Sequence, residues 1–496
     1  MEHNRATILN KVDRFTKLRR FETMSLHEVT QDLKVRPDIS SFTFIHCANQ
    51  SWLQITDILW LQQPHLQGQK ASQTDRAKRV ELFQEFLYYV FDSLLIPLIR
   101  SNFYVTESNV HRHQVLYFRH DVWKCVAEPA MAKLKEVMFE EVKMAEATRM
   151  LNARALGFSH VRLLPKGKVM RPITNLRKRT LGTGRSKTLG PSINSVLSPL
   201  HSMLKLERDM NPSKLGATMF SVNDIYGRLK AFKEGLGNVP HKLFFAKVDV
   251  RAAFDALPQD AVLRLMGSIP SQDEYVIAKH VEVKPGELEM SGPGEKVPKP
   301  IRRWLSSALG ESDPETFPGR VEGQLGRKAK NTVFIDRAVR STHPTGQLLA
   351  LLRQHVSQNL IKIGKKFYRQ KQGIPQGSVL SAILCNYFYA DLEAQHLDFL
   401  DGADCLLMRL IDDFLLITTD RTKAVRFVEI MHGGLPEYGV EVNPQKTLVN
   451  FDMVMDEEPV GKLADRQWFP YCGTVINCKT LEITKDLKKR RSMSKT

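Results

Sequence analysis

The sequence predicts a multidomain α and β chain: an all-α region over residues 1–156, an α+β region over residues 157–484, and a basic tail over residues 485–496. Three observations lead there. Apolar residues recur at helical spacing through Ala130 to Met150, with few Gly or Pro before Leu156. From Phe158 onward, short runs rich in β-branched and aromatic residues alternate with helical patterns. The length of 496 residues, 42% of them hydrophobic and 25% charged, is that of a globular chain with room for about two to four domains.

Within the helical region the most apolar stretch runs from Leu82 to Ile99. Gln84, Glu85 and Asp92 interrupt it and Pro97 breaks it, which predicts a buried helix and no membrane span. Phe103-Tyr-Val-Thr106 and Val115-Leu-Tyr-Phe118 flank a polar segment and predict a small hairpin among the helices. Between residues 268 and 345 a Pro/Gly/Lys-rich stretch, including Lys284-Pro-Gly286 and Ser291-Gly-Pro-Gly294, has few strong periodic patterns; it predicts a partly mobile insertion. The tail from Lys485 to Thr496 is basic and expected to fray.

The α+β region carries the chemistry. Leu406 to Ile411 and Phe414 to Thr419 are strand-like runs joined by Asp412-Asp413, a hairpin with acids at its tip. About one or two such pairs arise by chance in a chain this long, so placement carries the argument. Adjacent carboxylates between apolar strands repel, and a divalent cation neutralises them; the plainer reading is a solvated turn. A second strand, Leu243 to Val248, delivers Asp249 at its C-terminal end. Three carboxylates from neighbouring strands suit two Mg²⁺ ions acting on a primer hydroxyl and a triphosphate in an in-line phosphoryl transfer. Asp255 and Asp260 read first as helix caps.

Gln372-Gly-Ile-Pro-Gln-Gly-Ser378 forms a fixed turn whose backbone can approach a nucleotide, ahead of a helix that Ser378 is expected to cap. Structural turns of this kind are commoner than ligand cradles. Arg162 to Lys187 holds nine Lys/Arg and no Asp/Glu, a density that belongs beside phosphates or on a solvated basic face; Arg177-Lys-Arg179 also fits a nuclear localisation patch. Lys446 sits in a predicted turn, either as a surface lysine or as a group that neutralises a leaving pyrophosphate. Overall, 72 Lys+Arg against 54 Asp+Glu give +18, which favours a polyanionic partner. The N-terminus lacks an apolar signal core, so secretion is not expected. Six cysteines with no C-x-x-C pair exclude an evident zinc site or disulfide framework and predict free thiols.

In chain order these segments resemble the reverse transcriptase motifs, in the form found in telomerases. Arg162-Leu-Leu-Pro-Lys166 with Met170-Arg-Pro-Ile-Thr-Asn175 resembles the first finger motifs, and Lys247-Val-Asp-Val-Arg-Ala-Ala-Phe-Asp255 resembles motif A. Gln372 to Ser378 resembles motif B. Arg409-Leu-Ile-Asp-Asp-Phe-Leu-Leu416 resembles motif C with the apolar residue that telomerases favour before the acid pair. Val442 to Phe451 resembles motif D, and Trp468-Phe-Pro-Tyr-Cys-Gly473 the primer grip of motif E. Upstream, Phe103-Tyr-Val-Thr-Glu107 and Tyr117-Phe-Arg119 with Trp123 resemble the telomerase-specific T motif, and Ser51-Trp-Leu53 part of a neighbouring RNA-binding motif.

The resemblance implies an all-α RNA-binding domain followed by a right-hand polymerase's fingers and palm, with residues 268–345 as a fingers insertion. The palm is expected to be an antiparallel sheet with helices on one face. It implies Asp249, Asp412 and Asp413, with the backbone of Val250, as ligands of two Mg²⁺ ions. Lys166 and Arg171 become triphosphate contacts, Phe254 the ring that excludes a 2′-hydroxyl, and Gln372, Gly373 and Lys446 the nucleotide and template site. Phe103, Tyr104, Tyr117, Phe118, Arg119 and Trp123 become RNA contacts, and Trp468, Cys472 and Gly473 the primer grip. Vertebrate telomerases have Tyr where Phe254 stands; the steric role needs only the ring. The implied partners are telomerase RNA, a telomeric single-stranded DNA primer and deoxynucleoside triphosphates, with telomerase accessory proteins also to be considered and no membrane. The implied location is the nucleus, at telomeres. The chain leaves no room for an N-terminal anchor domain and stops soon after the primer grip, where the family continues into a helical thumb. A fragment or truncated form is therefore expected, which argues against processive repeat addition by this chain alone. The competing readings are a retroelement reverse transcriptase, which would not need the T-like segment, and an RNA-binding scaffold inactive without further domains.

Overall fold

The computed structural model of the chain describes residues 94–486 apart from 109–114, 167–168, 182–188, 238–241, 286–299, 311–315, 327–328, 456 and 465–466; before residue 94 it describes two short strands and scattered positions from 74 to 89. Ser51-Trp-Leu53, the Gly167-Lys168 turn, Ser291 to Gly294, and the tail beyond residue 486 lie outside the described residues. The described part falls into two compact units. The first comprises residues 1–133 with 163–172 and 284–301; the second comprises 134–162, 173–283 and 302–496.

In the first unit, Lys34–Pro37 pairs antiparallel with Thr43–His46, so the N-terminal region is not purely helical. The predicted hairpin is present: Phe103–Glu107 pairs with Val115–Arg119, between the helices Ile96–Asn102 and His120–Met138. The expectation of a buried helix over Leu82 to Ile99 is not met: none of its described residues is buried, and Leu95, Ile96 and Ile99 are only half-buried. Leu82, Phe86, Tyr89, Leu94 and Leu98 are all exposed. Among the described residues no helix is long and apolar enough to cross a membrane.

The second unit begins upstream of the expected boundary at residue 156. Phe139–Val142 joins a sheet by pairing antiparallel with Lys366–Gln370, which pairs with Leu360–Ile363, itself parallel to the start of Ser159–Lys166. Helix Met144–Asn152 packs there too: Ala147 shares an apolar cluster with Val142, Leu360 and Phe367. The strand partner of residues 139–142 is thus more than 200 positions later in the chain, which local periodicity cannot show.

At the centre lies a four-stranded antiparallel sheet in the order Cys405–Leu410, Asp413–Thr418, Phe244–Asp249, Leu448–Val449. Its near-continuous apolar runs are those of strands buried on both faces. Phe244, Ala246, Val248, Phe414 and Leu416 join a core with helices Ser198–Met210, Ser381–His396 and Arg421–Gly433. The alternate residues Phe245, Met408, Leu415 and Ile417 point into a second core with helix Asp224–Leu236 and a three-stranded sheet of Trp468–Tyr471, Thr474–Asn477 and Ile483–Lys485. Helices therefore lie on both faces of the palm sheet, where helices on one face were expected.

Residues 268–345 hold more regular structure than expected. Glu274–Lys284 lies between Ile301–Leu309 and Val333–Pro344 in a three-stranded sheet. Its pattern is hidden by a bulge. Lys279 pairs with Val339 but His280 pairs with Asp336, so Arg337 and Ala338 are extra, and Ala338 has φ +52°. The two extra residues interrupt the regular pairing midway along the strand.

Candidate active site

The acid-bearing hairpin differs from expectation by one residue. Leu410 pairs with Asp413, so the two-residue turn is Ile411-Asp412, and Asp413 opens the returning strand. Ile411 has φ +60°, whereas Asp412 is not left-handed. A positive φ at the first central position alone is the pattern of a type II′ turn, which ordinarily uses Gly there. A β-branched residue in this region is strained by roughly 1–3 kcal/mol and persists only where its surroundings enforce it.

That register brings the acids together. Asp249, at the end of Phe244–Asp249, is the direct cross-strand partner of Asp413, and Val250 N–H donates to the Asp412 carbonyl at 3.1 Å. Burial, followed by the charges of Asp412 and Asp249, pushes the Asp413 carboxyl up to about 6. The Lys446 ammonium, in the short turn Pro444–Lys446, reaches Asp249 Oδ2 at 2.5 Å. Asn443 N–H donates to the Asp249 carbonyl at 3.2 Å, so the lysine turn is tied to the strand it serves.

Among the described residues no three His, Cys, Asp or Glu side chains are gathered closely enough to hold a metal by themselves. The fit to Mg²⁺ rests on the donor set. Two carboxylates face each other in register, a third on the adjoining turn adds to their repulsion, and Mg²⁺ sites commonly pair one or two carboxylates with substrate phosphates and water. A divalent cation relieves that repulsion where Lys446 now does so for Asp249 alone.

The glycine-rich turn is built against the strand end that carries Asp249. Gly373 N–H donates to the Leu257 carbonyl and Ile374 N–H to the Phe254 carbonyl. With φ +70°, and with any Cβ 2.6 Å from the Phe254 and Asp255 carbonyl oxygens, position 373 admits only Gly. Gln376 Nε2 donates to Asp255 Oδ1 at 2.7 Å; Asp255, expected as a cap, instead couples the two motifs. The Gln376 carbonyl in turn accepts from both the amide and the hydroxyl of Thr174. Ser378 does not cap the following helix, which starts at Ser381; its hydroxyl accepts from Leu380 N–H and contacts His355 Nε2. Asp260 lies in the first turn of helix Gln259–Gly267, which has no side-chain cap bond. Gln372 is exposed and Phe254 is half-buried.

The strand Trp468–Tyr471 reaches the acids from the other side. Tyr471 hydroxyl donates to the Asp413 carbonyl at 3.0 Å, and the Cys472 thiol lies 4.0 Å from Asp413 Oδ2. Burial, then Asp413, pushes that thiol up to about 12, so it stays a donor. Cys472 and Gly473, with φ +47° and +80°, form the two-residue turn, and Trp468 is half-buried. Cys125, Cys385, Cys405, Cys472 and Cys478 are free thiols, as expected.

Among the first unit's residues, Lys166 ends the strand Ser159–Lys166 and Arg171 lies in Val169–Thr174. In the T-like hairpin Tyr104 stacks on Trp123, with centroids 4.0 Å apart and planes at 11°, and Phe118 packs on the same ring at 5.2 Å. Phe103 meets Tyr117 edge-on at 6.3 Å, and Arg119 pairs with Asp121 at 2.8 Å. Five of the six expected RNA contacts thus pack ring on ring, as a cluster of three and a pair; Phe103 and Arg119 are exposed.

These elements define the class: an antiparallel palm with paired acids at a hairpin and a glycine-rich turn beside them, the arrangement of a reverse transcriptase. Comparison with known proteins agrees. Residues 337–470 match the family model of the reverse transcriptase (RNA-dependent DNA polymerase), and residues 1–134 match that of the RNA binding domain of the telomerase ribonucleoprotein complex. The telomerase reverse transcriptase of Canis lupus familiaris is 31% identical over 98% of this chain and 42% of its own length; that of Oryzias latipes is 29% identical over 99% and 43%. The chain therefore spans less than half the length of these relatives. A telomerase structure from Candida albicans, solved with a fragment of telomeric RNA, shares the fold at TM-score 0.64 and 20% identity over 97% of this chain and 65% of that one. Over nearly its whole length the chain is similar to telomerase reverse transcriptases.

Proposed function

We propose that this chain is the RNA-binding and polymerase core of a telomerase, an RNA-directed DNA polymerase that extends a telomeric DNA primer by copying telomerase RNA. The observation that carries the reading is the register of Asp249 opposite Asp413 with Asp412 on the adjoining strained turn. Asp249, Asp412, Asp413 and the Val250 carbonyl would hold two Mg²⁺ ions, which when bound supply Lewis acidity to the primer 3′-hydroxyl and the triphosphate. Lys446 is placed to leave Asp249 and neutralise phosphate charge, and Lys166 and Arg171 are further phosphate ligands. Phe254, carried on the short helix Ala253–Ala256 that also backs Gly373, limits the sugar edge, while Gln372 and Gly373 offer backbone to the incoming nucleotide or template. Cys472, Gly473 and Trp468 seat the primer end near Asp413. The T-like hairpin and the match over residues 1–134 support telomerase RNA as the template and favour this reading over a retroelement enzyme. Such a protein works in the nucleus at telomeres, where accessory proteins of the telomerase particle are further partners.

The test is primer extension with Mg²⁺ and deoxynucleotides on an RNA–DNA hybrid, comparing the native chain with Asp412→Ala. Extension by the native chain that disappears in the variant supports the polymerase site. No extension by either, with tight binding of telomerase RNA, makes the chain a binding core instead.

A further inference from the structure

Arg409 is an arginine in an otherwise apolar strand, and it is fully buried. A buried guanidinium is tolerated only when its charge is paired and its donors are satisfied. All five N–H groups have partners. Nε donates to Glu393 Oε1 at 2.5 Å, Nη2 to Thr218 Oγ1 at 2.5 Å and the Asn386 carbonyl at 3.1 Å, and Nη1 to Asn386 Oδ1 at 3.1 Å. The fifth donor leaves this cluster: Nη1 reaches the carbonyl of Ile411 at 3.2 Å. The rings of Tyr389 and Phe414 flank the guanidinium, with centroids 5.7 and 5.6 Å away.

Ile411 is the residue with φ +60°, immediately before the acid pair. The three consecutive carbonyls of residues 411, 412 and 413 each accept from a different element: the Arg409 side chain, the Val250 amide and the Tyr471 hydroxyl. Of these, the first fixes the peptide that a β-branched residue would otherwise relax. Glu393 orients the guanidinium from the helix Ser381–His396 and, through Oε2, accepts from Ala217 N–H at 2.7 Å. The Arg409 backbone also bonds to Ala217 and Met219, so the strand behind the turn is held from both sides.

We infer that Arg409 is a positioning residue of the polymerase site: oriented by Glu393, it clamps the left-handed Ile411 peptide and thereby sets where Asp412 and Asp413 stand. This rests on the function proposed above. Arg409 touches no substrate; it acts through the turn. A displacement of about 1 Å in reacting groups costs on the order of 10²-fold in rate, which sets the scale expected when the clamp is removed. Lysine keeps the charge beside Glu393 but has no planar fork to reach Asn386, Thr218 and Ile411 together.

The test uses single-turnover extension on an RNA–DNA hybrid with the full chain, comparing native, Arg409→Lys, Arg409→Lys with Ile411→Gly, and Asp412→Ala. Arg409→Lys is expected to lower the maximal rate on the order of 10²-fold while leaving the hybrid's dissociation constant within about twofold. Glycine adopts positive φ without strain, so Ile411→Gly in that background is expected to recover at least about tenfold of the rate without restoring the thermal midpoint. Equal rates for native and Arg409→Lys, with Asp412→Ala inactive, overturn the positioning role and leave the polymerase reading intact. Loss of rate that Ile411→Gly does not recover, or that returns only with thermal stability, assigns Arg409 to folding and also overturns it. A native chain that binds the hybrid without extending it refutes the underlying reading, and the inference with it.

Discussion

The chain contains two antiparallel sheets in its second unit that meet solvent in opposite ways. In the palm, every residue from Phe244 to Ala246 and from Phe414 to Thr418 is buried, with cores on both faces. In the insertion sheet, Ile301–Leu309 and Val333–Pro344 are largely exposed, and Trp304 is 63% accessible with Arg337 over its ring. The difference shows what a double cover does. A sheet packed on both sides can hold Ile411 in a strained conformation and keep Asp413 partly desolvated beside two other acids, whereas a sheet open to water has no means of enforcing either.

Four expected outcomes put that contrast at risk. The largest concerns the acids. Asp249→Asn removes a carboxylate from the paired site and is expected to lower primer extension by at least about 10³-fold, corresponding to several kcal/mol of transition-state stabilisation, with circular dichroism unchanged. Next is core packing. Phe245→Ala, which empties a fully buried site against Phe469, is expected to cost about 3–5 kcal/mol in denaturant unfolding.

A third outcome follows from His355, buried in the helix Thr345–Val356 with Nδ1 unpaired. Burial, then the charge of Arg154, pushes its imidazole down to about 3 from an ordinary 6.5. The unfolded chain binds that proton more readily, so the stability present above pH 6.5 is lost as pH falls from about 6.5 toward about 3. The loss is about 2 kcal/mol at pH 5, and His355→Gln should flatten the slope over that window. Measuring unfolding midpoints of both proteins from pH 8 to pH 5 checks it. The smallest effect belongs to the open sheet: Trp304→Ala forfeits an exposed cation–π contact and is expected to change stability by no more than about 1 kcal/mol. A Trp304 effect as large as that of Phe245 would erase the contrast.

How much of this was legible in the sequence follows the same division. The palm strands are visible because they are apolar runs, each broken by a single basic residue (Lys247 or Arg409) or by none, that end or begin at acids, and the two-residue hairpin follows from the spacing of the runs. The identity of the turn was not, since Asp-Asp looks like the natural tip and only pairing shows that Ile411 occupies the left-handed position. Long-range partners were equally hidden: Lys446 with Asp249, and Gln376 with Asp255, join residues more than a hundred positions apart. The sequence does carry one sign of the clamp. Arg409 interrupts Leu406-Leu-Met408 and Leu410-Ile411, and a charge within such a run marks a buried, paired group. In the insertion, a bulge interrupts the pairing and the two outer strands are largely exposed, so no clean apolar alternation marks them. For the aromatic hairpin, sequence located the elements but not that Tyr104, Phe118 and Trp123 spend their faces on one another.

The most direct test of the central claim is single-nucleotide incorporation on a DNA primer annealed to RNA templates that differ in one base, run with the native chain and with Asp249→Asn. The account predicts that the nucleotide added follows the template base in the native chain and that addition disappears in the variant. Addition that ignores the template, or that survives Asp249→Asn, would contradict it.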